Sequence, residues 1–260
     1  MTESRLNGMV AIITGGSSGI GEATARLFVE HGAFVVIADL QDELGHQVVA
    51  SIGAEKASYR HCDVRDEKQV EETVAYTLER YGSLDILFSN AGVVGDMNGI
   101  LELDMDAFDD TMAVNVRGMA ITMKYTARAM VARQIRGSII CTASVAACLG
   151  GTGPHGYTAS KHAVVGLVRS VCSELGEYGI RVNSISPFGV ATPLACFVAK
   201  TDPSTVEAQT SAISCLKGIV LKAKHIAETA LFLASDESAY ITGQNLAVDG
   251  GFCSVVNRTY

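Results

Sequence analysis

The sequence has no tryptophan, no cluster of basic residues, no Cys-x-x-Cys pair and no apolar run near the length of a membrane span. Each absence narrows the field. Among 260 residues, 20 Lys and Arg stand against 28 Asp and Glu, a net charge of −8, and the basic residues are scattered. A phosphate-backbone binder needs concentrated positive charge, so no nucleic acid partner is expected. Apolar runs such as Val35 to Ala38 and Ile86 to Phe88 fall far short of the roughly 20 residues that span a bilayer, so no membrane partner is expected either. The seven cysteines, odd in number and unpaired in spacing, fit a reducing compartment and the role of small core residues better than a disulfide framework. His61-Cys62-Asp63 clusters metal-ligand types, but without a second cluster it is read as structural, and no metal site is expected. Strand-like sequence begins at Met9 after a short polar leader, which leaves no room for a targeting peptide and points to a cytoplasmic location. Asn257-Arg258-Thr259 matches a glycosylation acceptor, relevant only to a secreted protein.

What is present is a core-forming chain, 48% hydrophobic, with no polar linker, low-complexity tract or repeat to divide it. A single domain over residues 1–260 is expected. Short apolar runs alternate with helical periodicity: strands near 9–14, 33–38, 58–62, 84–89, 138–144, 181–186 and 245–249, with helices near 41–52, 66–81, 105–132, 157–177 and 225–234 between them. That alternation predicts right-handed βαβ units and one parallel sheet with helices on both faces. Residues 193–220 are the least regular, and Leu194, Phe197, Val198, Ile213 and Leu216 there read as a partly apolar lid over a site edged by Val145, Ala146 and Ala147.

The first strand runs directly into Gly15-x-x-x-Gly19-x-Gly21 and then a helix. Glycines in that turn let the backbone approach a pyrophosphate, and the free N–H groups and dipole of the helix start favour its charge. The second strand ends at Asp39, roughly 20 residues on, where a carboxylate can bond both ribose hydroxyls of an adenosine and repel a 2′-phosphate. Neither Gly16 to Ser18 nor Leu40 supplies a cation to neutralise such a phosphate. NAD is therefore the expected cofactor. A second constellation follows the fifth strand: Ser144, then Tyr157 and Lys161 four residues apart on one helix face. A nearby ammonium is expected to lower the phenol pKa toward the operating range, and Ser144 can hydrogen-bond the same substrate oxygen. Asn115 lies in an apolar helix interior, where its competing amide calls for a reason such as water bound at a local kink, the alternative being a solvent-exposed position on the outer face.

Taken together, Gly15-x-x-x-Gly19-x-Gly21, Asp63-Val64, Asn90-Ala91-Gly92, Asn115, Ser144, Tyr157-x-x-x-Lys161 and Thr192 resemble the short-chain dehydrogenase/reductase family over Met9 to Gly251. Ser186 to Pro193 and Ile241 to Gly251 look most like its plant branch of secoisolariciresinol, borneol, isopiperitenol and momilactone-forming dehydrogenases. The resemblance implies a single Rossmann-like, doubly wound α/β fold with seven parallel strands, and a homotetramer. It makes Tyr157 the general base, Lys161 its pKa-lowering neighbour and a ribose ligand, Ser144 the substrate-oxygen donor and Asn115 the holder of a relay water. Gly15, Ser18, Gly19, Ile20 and Gly21 would surround the pyrophosphate, and Asp63 and Val64 would contact adenine. Asn90, Ala91, Gly92, Pro187, Val190 and Thr192 would line the rest of the cofactor. The family's usual Pro-Gly after the sixth strand is Pro187-Phe188 here, and with no tryptophan the chain offers no obvious clamp for a flat polycyclic substrate. The implied reaction is NAD-dependent oxidation of a small hydrophobic secondary alcohol to the ketone, borneol to camphor being the single best guess. A lignan or diterpenoid alcohol is the alternative in that class, and a non-catalytic NAD-binding scaffold the alternative outside it.

Overall fold

The computed structural model describes residues 4–254, so the Asn257-Arg258-Thr259 acceptor lies outside the described residues. The apolar runs form strands β1 (Val10–Thr14), β2 (Phe34–Asp39), β3 (Ala57–His61), β4 (Ile86–Ser89), β5 (Ser138–Thr142), β6 (Arg181–Pro187) and β7 (Asn245–Val248). They pair in the order β3-β2-β1-β4-β5-β6-β7, every pair parallel. Parallel pairing requires crossovers, which are supplied by α1 (Gly19–Glu30), α2 (Asp42–Ile52), α3 (Glu67–Tyr81), α4 (Met105–Met112), α5 (Met119–Ala132), α6 (His155–Gly176) and, after two short helices, α9 (Ala223–Ala234).

Successive strand side chains point to opposite faces, and here both faces are apolar. Ala11, Ile13, Val35, Ile37 and Phe88 share one core with Ala25 and Phe28 of α1, Val48 of α2 and Ile226 of α9. Ile12, Val36, Leu87, Ile139 and Val182 share the other with Val70 of α3, Met123 of α5 and Val164 of α6. The order of strands reverses beside β1, whose neighbours are β2 and β4, and such a switch point opens a crevice beyond the carboxyl ends of the strands.

Three expectations are corrected. The helix over 105–132 is interrupted: α4 and α5 are joined by a π-helical turn, Ala113–Gly118, which carries Asn115. Residues 193–220 are not irregular throughout but hold α7 (Pro193–Ala199) and α8 (Pro203–Ile213), each with proline in its first turn and a capping side chain, Thr192 and Asp202. α7, at seven residues, is too short for apolar periodicity to reveal it, and α8 buries only Val206 and Thr210, so no apolar stripe marks it in the sequence. Of the cysteines, only Cys62 and Cys141 are buried; the other five are exposed or half-buried. No helix among the described residues is long and apolar enough to cross a membrane.

Candidate active site

The exits of the strands build the site. Gly15 follows β1 with φ +63°, and a Cβ there would lie 3.0 Å from the Cα of Ala91 and 3.1 Å from its nitrogen. Gly19 has φ +57°, and its Cβ would stand 3.1 Å from Cγ2 of Thr192. Left-handed backbone and this crowding both require glycine, so the turn is held close to the exits of β4 and β6. Thr14 Oγ1 accepts from the N–H groups of Asn90 and Ala91 at 2.9 and 3.0 Å. The Asn90 amide donates to the carbonyls of Thr14 and Gly15 at 3.2 and 3.3 Å, and its oxygen accepts from Thr142 at 3.0 Å. Asn90 thus ties together the ends of β1, β4 and β5. Ser18 precedes α1 without a side-chain capping bond, which leaves the first-turn N–H groups without a side-chain acceptor.

Asp39, buried at the end of β2, accepts from the N–H of Ser17 at 3.0 Å and of Gln41 at 3.1 Å. Asp63 follows β3 and is gripped by the Arg65 guanidinium, which holds its carboxyl below the usual carboxylate range. Another arm of Arg65 reaches Asp110 at 2.6 Å, so this cation is already paired twice. His61 is bonded to Asp42 at 2.7 Å, and no group of three or more metal-ligand side chains converges among the described residues. Val64 packs against Gly118, where a Cβ would lie 2.7 Å from the Val64 methyl.

Ser144 continues β5 and is buried; its Oγ accepts from the N–H of Ala146 at 3.2 Å, and its hydroxyl bonds toward the Tyr157 phenol beside it. Lys161 is 3% exposed, donates to the carbonyl of Thr142 at 2.8 Å and stands 5.4 Å from the centre of the Tyr157 ring. The i,i+4 spacing on α6 brings the two groups together as expected. The expected pKa effect is corrected. Burial raises the Tyr157 phenol above its ordinary value, opposed by hydrogen bonding from Ser144, while burial pushes the Lys161 ammonium down to about 8. An ammonium that is itself desolvated and spends a donor on a neutral carbonyl does not overcome the desolvation of the phenol.

Asn115 is fully buried, which excludes an outer-face position. Its oxygen accepts from the Val93 N–H at 2.8 Å, and its amide nitrogen donates to the Val93 carbonyl at 2.8 Å and to Ser160 Oγ at 3.0 Å. Ser160 in turn donates to the carbonyl of Tyr157 at 2.7 Å. The side chain is therefore a clamp between the exit of β4 and α6. Both amide hydrogens are spent, so a relay water at Asn115 would be held by the main chain of the widened turn.

A cavity of about 1030 Å³ joins these parts. It extends from Asp39, Asp63 and Val64, past Gly15, Ser18, Gly19, Ile20 and Asn90 to Gly92, to Ser144, Tyr157 and Lys161, with Pro187, Val190 and Thr192 along one side. Gly21 and Asn115 do not line it; they stand behind the wall, and Gly21 lets α1 start against the Gly15 backbone. Leu194, Phe197, Val198, Ile213 and Val145 line the cavity, whereas Leu216, Ala146 and Ala147 do not. Phe197 is 82% exposed, so these lid residues are not core. Sequence reasoning missed Thr14, Thr142 and Val93, whose parts are played by a hydroxyl and main-chain groups with no motif signal. Ser160 sits inside the Tyr157 to Lys161 spacing and was within reach of it.

A family model described as enoyl-(acyl carrier protein) reductase matches residues 15–253. The chain is 60% identical over 255 residues to short-chain dehydrogenase reductase 3b of Arabidopsis thaliana, covering 98% of this chain and 99% of that protein. It is 51% identical over 251 residues to a (+)-cis,trans-nepetalactol synthase of Nepeta racemosa, covering 95% and 94%. Among solved structures, levodione reductase superposes with a TM-score of 0.87 at 31% identity, covering 97% of this chain and 100% of that one.

Proposed function

The chain belongs to the short-chain dehydrogenase/reductase family, and on that premise we propose that it oxidises a secondary alcohol on a hydrophobic terpenoid frame to the ketone, with NAD as cofactor and borneol to camphor as the working pair. The observation that carries this reading is one cavity in which Ser144, Tyr157 and Lys161 lie between a glycine cradle and an apolar lid. Ser144 donates to the substrate oxygen, and Tyr157 takes the hydroxyl proton. Lys161 supplies positive charge beside the phenol and a donor for a ribose hydroxyl. Gly15, Ser18, Gly19 and Ile20 line the cavity at the start of α1, which has no side-chain cap and fits a pyrophosphate, and Asp39 at the far end fits an adenosine ribose. Asp63 and Val64 would meet adenine, and Asn90 to Gly92, Pro187, Val190 and Thr192 the nicotinamide half. When bound, NAD supplies the hydride acceptor. One relative is named for forming a lactol, nepetalactol, and a similar solved structure for reducing a dione, levodione, which supports a carbon-bound oxygen as the reacting group.

The lid side chains offer apolar area and few hydrogen bonds, so each extra substrate hydroxyl would be left unpaired at about 1–3 kcal/mol. With purified protein and NAD, kcat/KM for borneol and related terpene alcohols should exceed that for polyols. Several terpene alcohols should be oxidised at comparable rates, because an apolar pocket separates neighbouring hydrocarbons by only about 1–3 kcal/mol per methylene. A preference for polyols would reject the apolar-lid reading.

Cofactor choice has its own test. Asp39 faces the cavity and Arg65, the cation beside the same end, is engaged by Asp63 and Asp110, so neither side chain favours a 2′-phosphate. The expected kcat/KM with NAD is well above that with NADP in the unmodified protein. Equal or greater efficiency with NADP would show the assignment to be wrong.

A further inference from the structure

Position 188 departs from the Pro-Gly pair that the family resemblance implies, and Phe188 is among the residues that line the cavity. In the β5–β6 register Thr142 pairs with Ile185, and the Ala143 N–H donates to the Ile185 carbonyl at 2.8 Å. Continuing that register puts Ser144 level with Pro187, the last residue of β6, and Phe188 just past the strand end, one residue beyond the level of the substrate-oxygen donor. Phe188 is also fixed. Its N–H donates to the Val248 carbonyl at 3.2 Å, and its ring stacks on Phe252 with centroids 4.2 Å apart and planes at 14°.

Phe252 belongs to a turn after β7 that is itself pinned. The Asp249 carboxylate accepts from the N–H groups of Gly251 at 2.9 Å and Cys253 at 2.8 Å. The Gly250 carbonyl accepts from Cys215 and Leu216 at 3.0 and 2.9 Å, just beyond α8. One turn therefore backs the Phe188 ring and anchors the end of the lid. A lone phenylalanine at a cavity edge could rotate away from a large ligand; a ring stacked on a pinned partner resists this, because stacking and packing favour one orientation.

We propose that Phe188 sets the size limit of the substrate chamber, and that Phe252, acting through it, is the positioning residue for that wall. The nature of the ligand rests on the alcohol-oxidising reading, but the wall can be tested apart from turnover. Wild type, F188A, F252A and F252Y are each saturated with NADH, which cannot accept a hydride, and titrated with cyclohexanol, borneol and perhydrophenanthrenol. F188A should raise the affinity for the largest alcohol relative to the smallest by about tenfold or more. F252A should shift the ratio the same way by a smaller factor, while F252Y, which keeps a flat ring, should match wild type. Where F188A does not fold, F188V replaces it. An unchanged ratio in the Phe188 variant, an equal loss of affinity at all sizes, or equal effects of F252A and F252Y would overturn the proposal. If the wild type oxidises none of these alcohols with NAD while the ratio still shifts, the oxidation reading fails and the wall stands. If it oxidises them and the ratio does not shift, the wall fails and the oxidation reading stands.

Discussion

Tyr157→Phe should lower kcat for alcohol oxidation by about 10²-fold or more while leaving NAD affinity little changed. The substitution deletes the phenolic oxygen and keeps the ring, so the packing beside Gly153 and the cavity wall survive. The loss falls on turnover because the proton is taken at the transition state. The direction of the pKa shift adds a second expected result. Burial raises the Tyr157 phenol, so the basic form is scarce at neutral pH and grows as pH rises. In wild type, kcat/KM for the alcohol, which at saturating NAD reports the base in the NAD-bound enzyme, should keep climbing into the alkaline range. A profile already level by neutral pH would reject a burial-raised phenol, and near-normal turnover in the Phe variant would reject the base itself. Both measurements use one spectrophotometric assay at saturating NAD across a pH series, with cofactor binding followed separately by titration.

The sheet was legible because parallel strands buried on both faces must be short, continuous apolar runs, and Val35 to Ala38 or Ile86 to Phe88 can hardly be anything else once helices separate them. Gly15 and Gly19 were legible for a different reason: positive φ and close backbone approach admit little but glycine. Asn115 was half legible. Its place in an apolar helix signalled a break, and the π turn is that break, but the Val93 partner comes from a loop whose main-chain groups leave no trace in residue type. The Phe188–Phe252 stack was invisible because its members are 64 positions apart and no local pattern pairs them. The sign of the Tyr157 shift was misjudged from spacing alone. Four residues on a helix fix proximity, whereas the balance between desolvation and charge depends on how deeply both groups are buried, a property of the whole cavity.

Lys161→Met should lower kcat by about 10²-fold or more and, unlike most losses of a buried contact, should not destabilise the protein at neutral pH. Lys161 is 3% exposed, its hydrogen-bond partner is the neutral Thr142 carbonyl, and no ion pair to it is found among the described residues. Holding an ammonium there depresses its pKa from 10.5 to about 8, which corresponds to a penalty of about 3 kcal/mol on the charged folded state. Methionine has a similar length and removes that penalty, against about 1–3 kcal/mol for the carbonyl left without its donor. The sign follows from proton binding. Below pH 8 the lysine is charged in both folded and unfolded chains, and the penalty is constant. Between about 8 and 10.5 the folded protein sheds the proton while the unfolded chain keeps it, so wild-type stability from this group rises with pH through that window and is lost again as pH falls from 10.5 to about 8. Chemical denaturation of wild type and Lys161→Met at pH 7, 9 and 10.5 should therefore show the variant at least as stable at pH 7, and the wild type gaining on it by up to about 3 kcal/mol at the alkaline end. A variant less stable by the same amount at every pH would mean that Lys161 titrates in the folded protein as it does in the unfolded chain, and would remove the desolvated cation from the account of how Tyr157 is brought to work.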